Sequence, residues 1–515
     1  MPPFPDDPKT SLDSHASSSA QIAQFPFDRL DADVVLRSAD GVDFYVYKAI
    51  LSLASSFFAT MFSLEQPPPV ASSLRHPVIA VSEDSNTLDA LLRYSYPVGN
   101  PEMRTLEELD KVSFAAIKYD IPETLMTLRL ILRGLTPQAP GSAFAVACNH
   151  SWEDEARLAA EHCRKIAVSR DRSDITNFAC TLPGAVFVDQ MGRIPAGAYY
   201  RLLSYIRTRS FPPQFCTPAP CDAEGRKDVP AAKPQFNRVD GDTVLCSSDG
   251  VQFRVHRVVL TINDAGALLN ETTVVEEHGI SGDTTRSFQT SVSADVLGPL
   301  LQFCYPHEAA ERVCDLAVYK QVAQTAFSYG MHTLMRTTVQ RVLREALGAQ
   351  PLTAFLIAAQ FGWVHEAQRA AELLATEHLD DQYSRELETT PASLYQQLLK
   401  FHHRCQAIIM QIFEKYSTNE DFRDTSGWGP PMPGIRDGPW KQKWFDEVTG
   451  MRSKKVKTIP SVITELQVKR LKALGYRYQV SENTEYFDLE QIITTTQSLE
   501  SEVKAALRTV KVGLY

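Results

Sequence analysis

Residues 31–51 read DADVVLRSADGVDFYVYKAIL, and residues 240–260 read DGDTVLCSSDGVQFRVHRVVL. Eleven of these 21 positions are identical, at a constant offset of 209 residues (240 − 31 = 209). The same offset relates Leu91-Leu92-x-Tyr94-x-Tyr96-Pro97 to Leu300-Leu301-x-Phe303-x-Tyr305-Pro306. A period of this length indicates a duplicated domain and not a short-repeat solenoid. The sequence therefore predicts one folding unit that is present twice.

A third match, at an offset of 211 residues (354 − 143 = 211), lies downstream in each unit. It pairs Ala143, Phe144, Trp152, Glu155, Ala156, Ala159, Ala160 and Glu161 with Ala354, Phe355, Trp363, Glu366, Ala367, Ala370, Ala371 and Glu372. The repeated unit therefore includes a helical segment as well as its opening strands.

The composition is that of a globular protein, with 515 residues, 44% of them hydrophobic, and a net charge of −10. The negative charge argues against a general nucleic-acid binder. Nine cysteines without a C-x-x-C pair predict reduced thiols and no disulfide framework. The sequence shows neither the apolar core of a secretory signal nor a long apolar run typical of a membrane span. We therefore expect an intracellular protein, cytoplasmic or nuclear.

The first unit begins with a strand pattern and continues with a helix pattern. Val34 to Leu36 and the alternating Phe44 and Val46 flank Asp40-Gly41, a dipeptide typical of tight hairpin turns. Apolar residues then recur with helical spacing at Ile50, Leu53, Ala54, Phe57, Phe58, Met61 and Phe62. This spacing predicts one long helix with a single buried stripe. A third strand near residues 78–81 and further helices complete an α+β domain.

These patterns divide the chain into seven predicted segments. They are a disordered tail (1–27), an α+β domain (28–135), a helical extension (136–209), a Pro-rich linker (210–235), a divergent second α+β domain (236–348), a second helical extension (349–415) and a mixed basic and helical C-terminal region (416–515).

The blocks of the first unit resemble the opening of a BTB/POZ domain. The resemblance rests on Asp33-Val34-Val35-Leu36, Phe44-x-Val46-Tyr47-Lys48-x-x-Leu51, Ser55-Ser56-Phe57-Phe58-x-x-Met61-Phe62 and Leu91-Leu92-x-Tyr94-x-Tyr96. The second unit keeps Asp242, His256 and Arg257 but lacks the aromatic block, so it resembles a divergent copy. The arrangement is similar to that of large fungal BTB proteins, with two BTB/POZ-like domains, each a small sheet with a helix cluster followed by a helical extension.

The resemblance implies a protein-interaction module without chemistry of its own. It also implies a charged pocket near the dimer interface, formed by Asp33 with Lys48 and by Asp242 with Arg257, each pair 15 residues apart (48 − 33 = 257 − 242 = 15). The alternative for both pairs is an ordinary ion pair or a charge at a helix end.

We therefore predict a non-enzymatic scaffold or adaptor that binds other proteins, and we expect no membrane or nucleic-acid partner. The alternatives are a substrate adaptor of a cullin-type ubiquitin ligase and a chromatin-associated transcriptional cofactor. Two family features are missing: a swap helix before the first strand, and an apolar-x-Glu motif near Gln66 to Pro68. The tandem copy without a swap helix predicts that the two units pair within one chain.

We expect no catalytic residue, cofactor or metal. The chain has no G-x-S-x-G elbow, phosphate loop or H-E-x-x-H motif. His162-Cys163 and the group His402, His403 and Cys405 are interpreted as surface or core residues, because a structural zinc site needs about four ligands. Trp440, Trp444 and the basic residues after Arg452 are either packing aromatics beside a solvated face or a surface for nucleic acid or acidic partners.

Overall fold

The computed structural model describes residues 21–64, 76–171, 186–217, 241–269, 275–278, 284–305, 316–335, 340–375, 377, 379, 382–418 and 501–514. The chain forms two compact units, Met1–His162 and Cys163–Tyr515, which contain the first and the second copy of the sequence repeat. From here on, the first unit and the second unit are these two parts of the chain. The predicted extension over residues 136–209 therefore includes residues of both units. Most of the predicted tail, linker and C-terminal region (1–20, 218–235 and 419–500) lies outside the described residues.

The first unit contains a four-stranded sheet. Its strands are β1 (Gln21–Ile22), β2 (Val34–Arg37), β3 (Val42–Val46) and β4 (Val78–Ala80), in the order β1-β3-β2-β4. Strands β2 and β3 form the predicted antiparallel hairpin, and β4 runs parallel to β2. Gly41 takes the positive φ of 85° in the hairpin turn, a conformation that glycine adopts at little steric cost. Ser38 Oγ closes this turn by accepting the N–H of Val42 at 2.9 Å.

The prediction of one long helix after the hairpin is wrong. Helices α1 (Lys48–Ala54) and α2 (Ser56–Ser63) are separated by Ser55, whose backbone is extended. Ser55 Oγ caps α2 by accepting the N–H of Phe58 at 3.0 Å and donates to the carbonyl of Tyr119. Because the direction of the chain changes there, the apolar stripe is divided. Phe58 is 1% exposed, whereas Phe57 is 42% exposed and Leu53 is 90% exposed.

Three further helices complete the predicted α+β domain: α3 (Ser85–Ser95), α4 (Leu106–Lys118) and α5 (Pro122–Leu135). Asp84 caps α3, Thr105 and Glu108 form a capping box at α4, and Pro122 stands in the first turn of α5. Their apolar faces are buried, including Leu88, Leu91, Leu92, Leu109, Val112, Ala116, Leu128 and Leu132.

A buried carboxylate ties the helical extension of the first unit to α5. The extension begins with α6 (Pro140–Asn149) and α7 (Glu153–Asp171). The Glu155 side chain is completely buried, and its oxygens lie 2.9 Å from Arg129 Nη2 and 2.8 Å from Arg133 Nη2. Burial opposes ionisation of Glu155, but the hydrogen bonds from both arginines outweigh it and lower the pKa of the carboxyl.

The second unit also contains a four-stranded sheet. Its strands are β5 (Thr243–Cys246), β6 (Gln252–Val255), β7 (Val275–His278) and β8 (Thr284–Gln289), in the order β6-β5-β8-β7. Thr243 lies opposite Val255 in the antiparallel pair, as Val34 lies opposite Val46 in the first unit. Both residues of this pair are displaced by 209 (243 − 34 = 255 − 46 = 209). The parallel pairs match likewise, with Val244 opposite Ser287 and Val35 opposite Val78.

The helices of the second unit are mostly short. They are α8 (Ala196–Thr208), α9 (Arg257–Ile262), α10 (Ala294–Cys304), α11 (Leu316–Ser328), α12 (His332–Leu334), α13 (Gln340–Ala346), α14 (Pro351–Gln360), α15 (Val364–Leu374) and α16 (Ala392–Thr418), and residues 501–509 are also helical. The 3-10 helices are Asp189–Arg193, Ala265–Leu269 and Arg385–Glu388.

Charged residues join α8 to the segment before α16. Arg201 lies 2.5 Å from Glu388, and the N–H of Ala196 donates to the carbonyl of Thr390 at 2.7 Å. Gly197 permits this approach, because a Cβ at that position would lie 2.1 Å from a Glu388 oxygen. A second pair, Lys320 with Glu386 at 2.5 Å, joins α11 to the same segment.

The different burial of Phe57 and Phe58 predicts different effects of truncation. Phe58→Ala should lower the free energy of unfolding by about 3–5 kcal/mol, because it leaves a cavity beside Tyr119 and Phe62. Phe57→Ala should lower it by less than about 1.5 kcal/mol, since part of that ring already faces solvent. Denaturant unfolding of both variants tests this, and equal losses would contradict the division of the stripe at Ser55.

The Glu155 cluster predicts a dependence of stability on pH. Because the folded pKa of Glu155 is lowered, its contribution is present above the unfolded pKa of about 4.3 and is lost as the pH falls through the folded value. Glu155→Gln should therefore destabilise the chain by about 1–3 kcal/mol at pH 7 and by less under acidic conditions. Glu153→Gln, in a surface pair with Arg157, is the control and should cost under about 1 kcal/mol. A Glu155→Gln loss that is the same at pH 7 and pH 4 would refute this assignment.

Candidate functional site

The structure brings Asp33 and Lys48 together through the backbone. Asp33 Oδ2 accepts the N–H of Lys48, the first residue of α1, at 3.1 Å. The neighbouring N–H of Tyr47 donates to the Tyr96 hydroxyl at 2.8 Å. The first N–H groups of a helix have no partner within the helix. Two side chains that are distant in sequence therefore satisfy the backbone at the start of α1.

Asp242 and Arg257 have the same arrangement in the second unit. Asp242 Oδ1 accepts the N–H of Arg257 at 2.8 Å, and the N–H of His256 donates to the Tyr305 hydroxyl at 2.9 Å. All the residues involved correspond to those of the first unit at the offset of 209. The repeat thus reproduces the way in which its first helix is joined to the sheet.

The two cationic side chains do not form ion pairs with these carboxylates among the described residues. The Lys48 ammonium instead lies 5.6 Å from the centroid of the Phe62 ring. Asp33, Asp242 and Arg257 are exposed, and Lys48 is half-buried. The geometry gives the aspartates a role at a helix end, and a charged pocket that recognises a partner stays a prediction.

Large apolar side chains of α1, of α2 and of the residue after α2 are exposed. We define the α1–α2 surface by Leu53, Phe57 and Leu64, of which Leu53 is 90% and Leu64 is 62% exposed. In the second unit Val258 is 60% exposed, and Ile262, which corresponds to Leu53, is 70% exposed. Exposed apolar side chains are available to contact a partner, and a contiguous patch of them is typical of a binding surface. Helical periodicity assigned Leu53 and Phe57 to a buried stripe, because the spacing of apolar residues does not reveal that the helix is interrupted at Ser55.

The sequence did not reveal an ionic cluster between α4 and the loop after β4. Lys118 Nζ lies 2.8 Å from Glu83 Oε1 and 2.6 Å from Ser82 Oγ, and the Tyr119 hydroxyl donates to Glu83 Oε2. Burial opposes ionisation of Glu83, but hydrogen bonds from Lys118 and Tyr119 lower its pKa. Burial and the hydrogen bond to Glu83 raise the pKa of Tyr119. These residues are 35 or more positions apart (118 − 83 = 35), so no local motif indicates the contact.

The candidate metal-ligand groups of the sequence are placed as core and surface residues. Burial raises the pKa of the Cys163 and Cys405 thiols to about 12, which disfavours the thiolate that binds metals. His402 Nε2 lies 2.9 Å from the carbonyl oxygen of Glu377. Within the described ranges there is no group of three His, Cys, Asp or Glu side chains suited to a metal ion. The aromatic and basic residues from Trp440 to Lys472 lie outside these ranges.

Comparison with protein families matches residues 27–132 to the BTB/POZ domain. These residues form a BTB/POZ domain, a protein–protein interaction module. The match does not extend to the second unit. A comparison with curated proteins finds no match to the chain. In the described part of the chain, no helix has the length and apolar character needed to cross a membrane.

The helix-end geometry predicts unequal effects of removing Asp33 and Lys48. Asp33→Ala should lower the free energy of unfolding by about 0.5–2 kcal/mol, because the N–H of Lys48 loses its acceptor. Lys48→Ala keeps that N–H and should cost under about 1 kcal/mol, the size of its contact with Phe62.

A double-mutant cycle separates this role from an ion pair. The coupling energy between Asp33→Ala and Lys48→Ala should be close to zero, since the side chains do not interact directly. A coupling above about 1 kcal/mol would show that the two charges form a pair. Asp242→Ala and Arg257→Ala form the matched set in the second unit.

Proposed function

We propose that this chain is a non-enzymatic interaction scaffold built from two BTB/POZ units, the second a divergent copy of the first. The BTB/POZ match over residues 27–132 supports the first unit. The observation that carries the second is the common register of the two hairpins and of their parallel strands, all at an offset of 209.

Conserved backbone contacts support the same proposal. The N–H of Ser85 donates to Asp40 at 2.9 Å, and the N–H of Ala294 donates to Asp249 at 2.9 Å. Each contact joins the hairpin turn to the start of the helix after the parallel strand. Where each helical extension joins the preceding helix, Arg344 lies 2.8 Å from Glu366, as Arg133 lies 2.8 Å from Glu155, at the offset of 211.

The two units differ at the surfaces that a partner would meet. The first sheet is extended by β1 beside β3, whereas the second is extended by β7 beside β8. The aromatic helix α2 is replaced by the 3-10 helix Ala265–Leu269 (265 − 56 = 209). A scaffold with two unequal units can bind two different partners at once, which a single domain cannot do with one surface.

We assign partner binding in the first unit to the α1–α2 surface. The test uses the full chain, the double variant L53D/L64D and the control Leu373→Asp, which places the same charge on an exposed position of α15. Affinity purification with quantitative mass spectrometry should show a set of proteins lost from L53D/L64D and retained by Leu373→Asp. Both Leu53 and Leu64 are exposed, so the melting temperature should stay within a few degrees.

The same experiment decides between the scaffold and the alternatives. Equal protein sets for all three chains would contradict the assignment of the α1–α2 surface. Recovery of a cullin that depends on this surface would favour the ubiquitin-ligase adaptor. Recovery of chromatin proteins that does not depend on it would favour the transcriptional cofactor.

Pairing of the two units within one chain stays a prediction of the tandem arrangement. A tether keeps the units at high effective concentration, so a weak contact within the chain would compete well with association between chains. Light scattering of the full chain at micromolar concentration should then report a monomer, and a stable dimer would rule this pairing out.

A further inference from the structure

The second unit contains an open cleft of about 560 Å³ between α11 and the loop that precedes α10. Val292 and Val296 are buried lining residues, and Gln321, Gln324 and Ser328 line the cleft from α11. The remaining lining residues, Ser291, Ser293, Thr325 and Tyr329, also carry hydroxyl groups and no charge. The cleft is therefore polar and neutral.

The equivalent place in the first unit is bridged by charged side chains. Val292 corresponds to Glu83, and their carbonyls accept equivalent bonds, from Ser248 N–H and Ala39 N–H, each at 2.9 Å. Ser328 and Tyr329 correspond to Lys118 and Tyr119 at an offset of 210 (329 − 119 = 210). The second unit therefore lacks both ends of the Lys118–Glu83 bridge, which lie 2.8 Å apart in the first.

A second charged pair is missing at the same place. Lys111 lies 3.9 Å from Asp84 in the first unit, and the corresponding residues are Gln321 and Ser293. All four charged groups of the first unit are thus replaced by uncharged side chains around the cleft. The Ser291 and Tyr329 hydroxyls lie 3.3 Å apart, and the Ser328 hydroxyl donates to the carbonyl of Thr325 at 2.9 Å, whereas the side chains of Gln321 and Gln324 are exposed.

The spacing of these groups matches an extended peptide. Gln321, Gln324 and Ser328 follow one face of α11 at i, i+3 and i+7, which spans about 10 Å at 1.5 Å per residue. That length corresponds to roughly three residues of extended chain at about 3.3 Å each. The amides of Gln321 and Gln324 are exposed and make no hydrogen bond within the described part of the chain. A glutamine amide both donates and accepts, as a peptide backbone does.

We propose that this cleft binds a short extended segment of a partner protein with uncharged side chains. An amphipathic helix would not suit it, because a helix has already used its backbone groups and docks through apolar anchors. A charged side chain would lose solvation without meeting an opposite charge. This site is separate from the α1–α2 surface of the first unit and goes beyond the scaffold role proposed above.

The test restores the charges of the first unit in the second. The variant V292E/S328K rebuilds the Glu83–Lys118 pair at the corresponding positions, and V258E/T261K adds the same charges to the exposed face of α9 as a control. A displayed library of random octapeptides is selected on the full wild-type chain. The affinities of the selected peptides are then measured by fluorescence polarisation on every variant.

The selected peptides should be poor in Asp, Glu, Lys and Arg. Their affinity should fall at least tenfold for V292E/S328K and stay unchanged for V258E/T261K and L53D/L64D. Q321A/Q324A is a second variant that changes only exposed side chains, and it should also weaken binding at least tenfold. Peptides that keep their affinity for both cleft variants, charged consensus sequences, or a neutral oligosaccharide that alone depends on the cleft would overturn the proposal. Because L53D/L64D leaves the cleft intact, failure here is distinct from failure of the α1–α2 assignment.

Discussion

The start of the first helix in each unit depends on two hydrogen bonds that come from elsewhere in the fold. An aspartate just before the hairpin accepts the N–H of the first residue of the helix. The hydroxyl of a tyrosine that follows the later helix accepts the N–H of the residue before it. Together they fix the hairpin, the first helix and α3 or α10 relative to each other. A buried or half-buried N–H without an acceptor would cost free energy, so the three elements are stabilised as one group.

The sequence predicted the parts of the fold that depend on local pattern. Alternation around Asp40-Gly41 predicted the hairpin, and the predicted third strand and further helices are present as β4 and α3 to α5. The break at Ser55 could not be predicted, because its second partner is the carbonyl of Tyr119, 64 residues away (119 − 55 = 64). Without that contact the apolar spacing from Ile50 to Phe62 is equally compatible with one continuous helix.

Contacts between charged residues that are distant in sequence could not be predicted either. The pairing of Asp33 with Lys48 was predicted from the family resemblance, but the atoms that meet are a carboxylate and a backbone N–H. Distance in sequence also concealed Lys320 with Glu386 and Arg201 with Glu388. A buried ion pair is weak evidence for net stability, but it is costly to break from one side, so it makes the contact between elements specific.

The cost of breaking an ion pair from one side also bears on the difference between the units around Glu83. Glu83 is largely buried, so removal of Lys118 alone would leave a carboxylate with little solvent and without its cation. Removal of both ends together avoids that cost, and the second unit carries Val292 and Ser328 at these positions. The second unit has a neutral contact at this place, between the Ser291 and Tyr329 hydroxyls at 3.3 Å, while its strand register and helix-end hydrogen bonds are those of the first unit. The two units thus share their strand register and helix-end contacts and differ in the side chains at the place of this cleft.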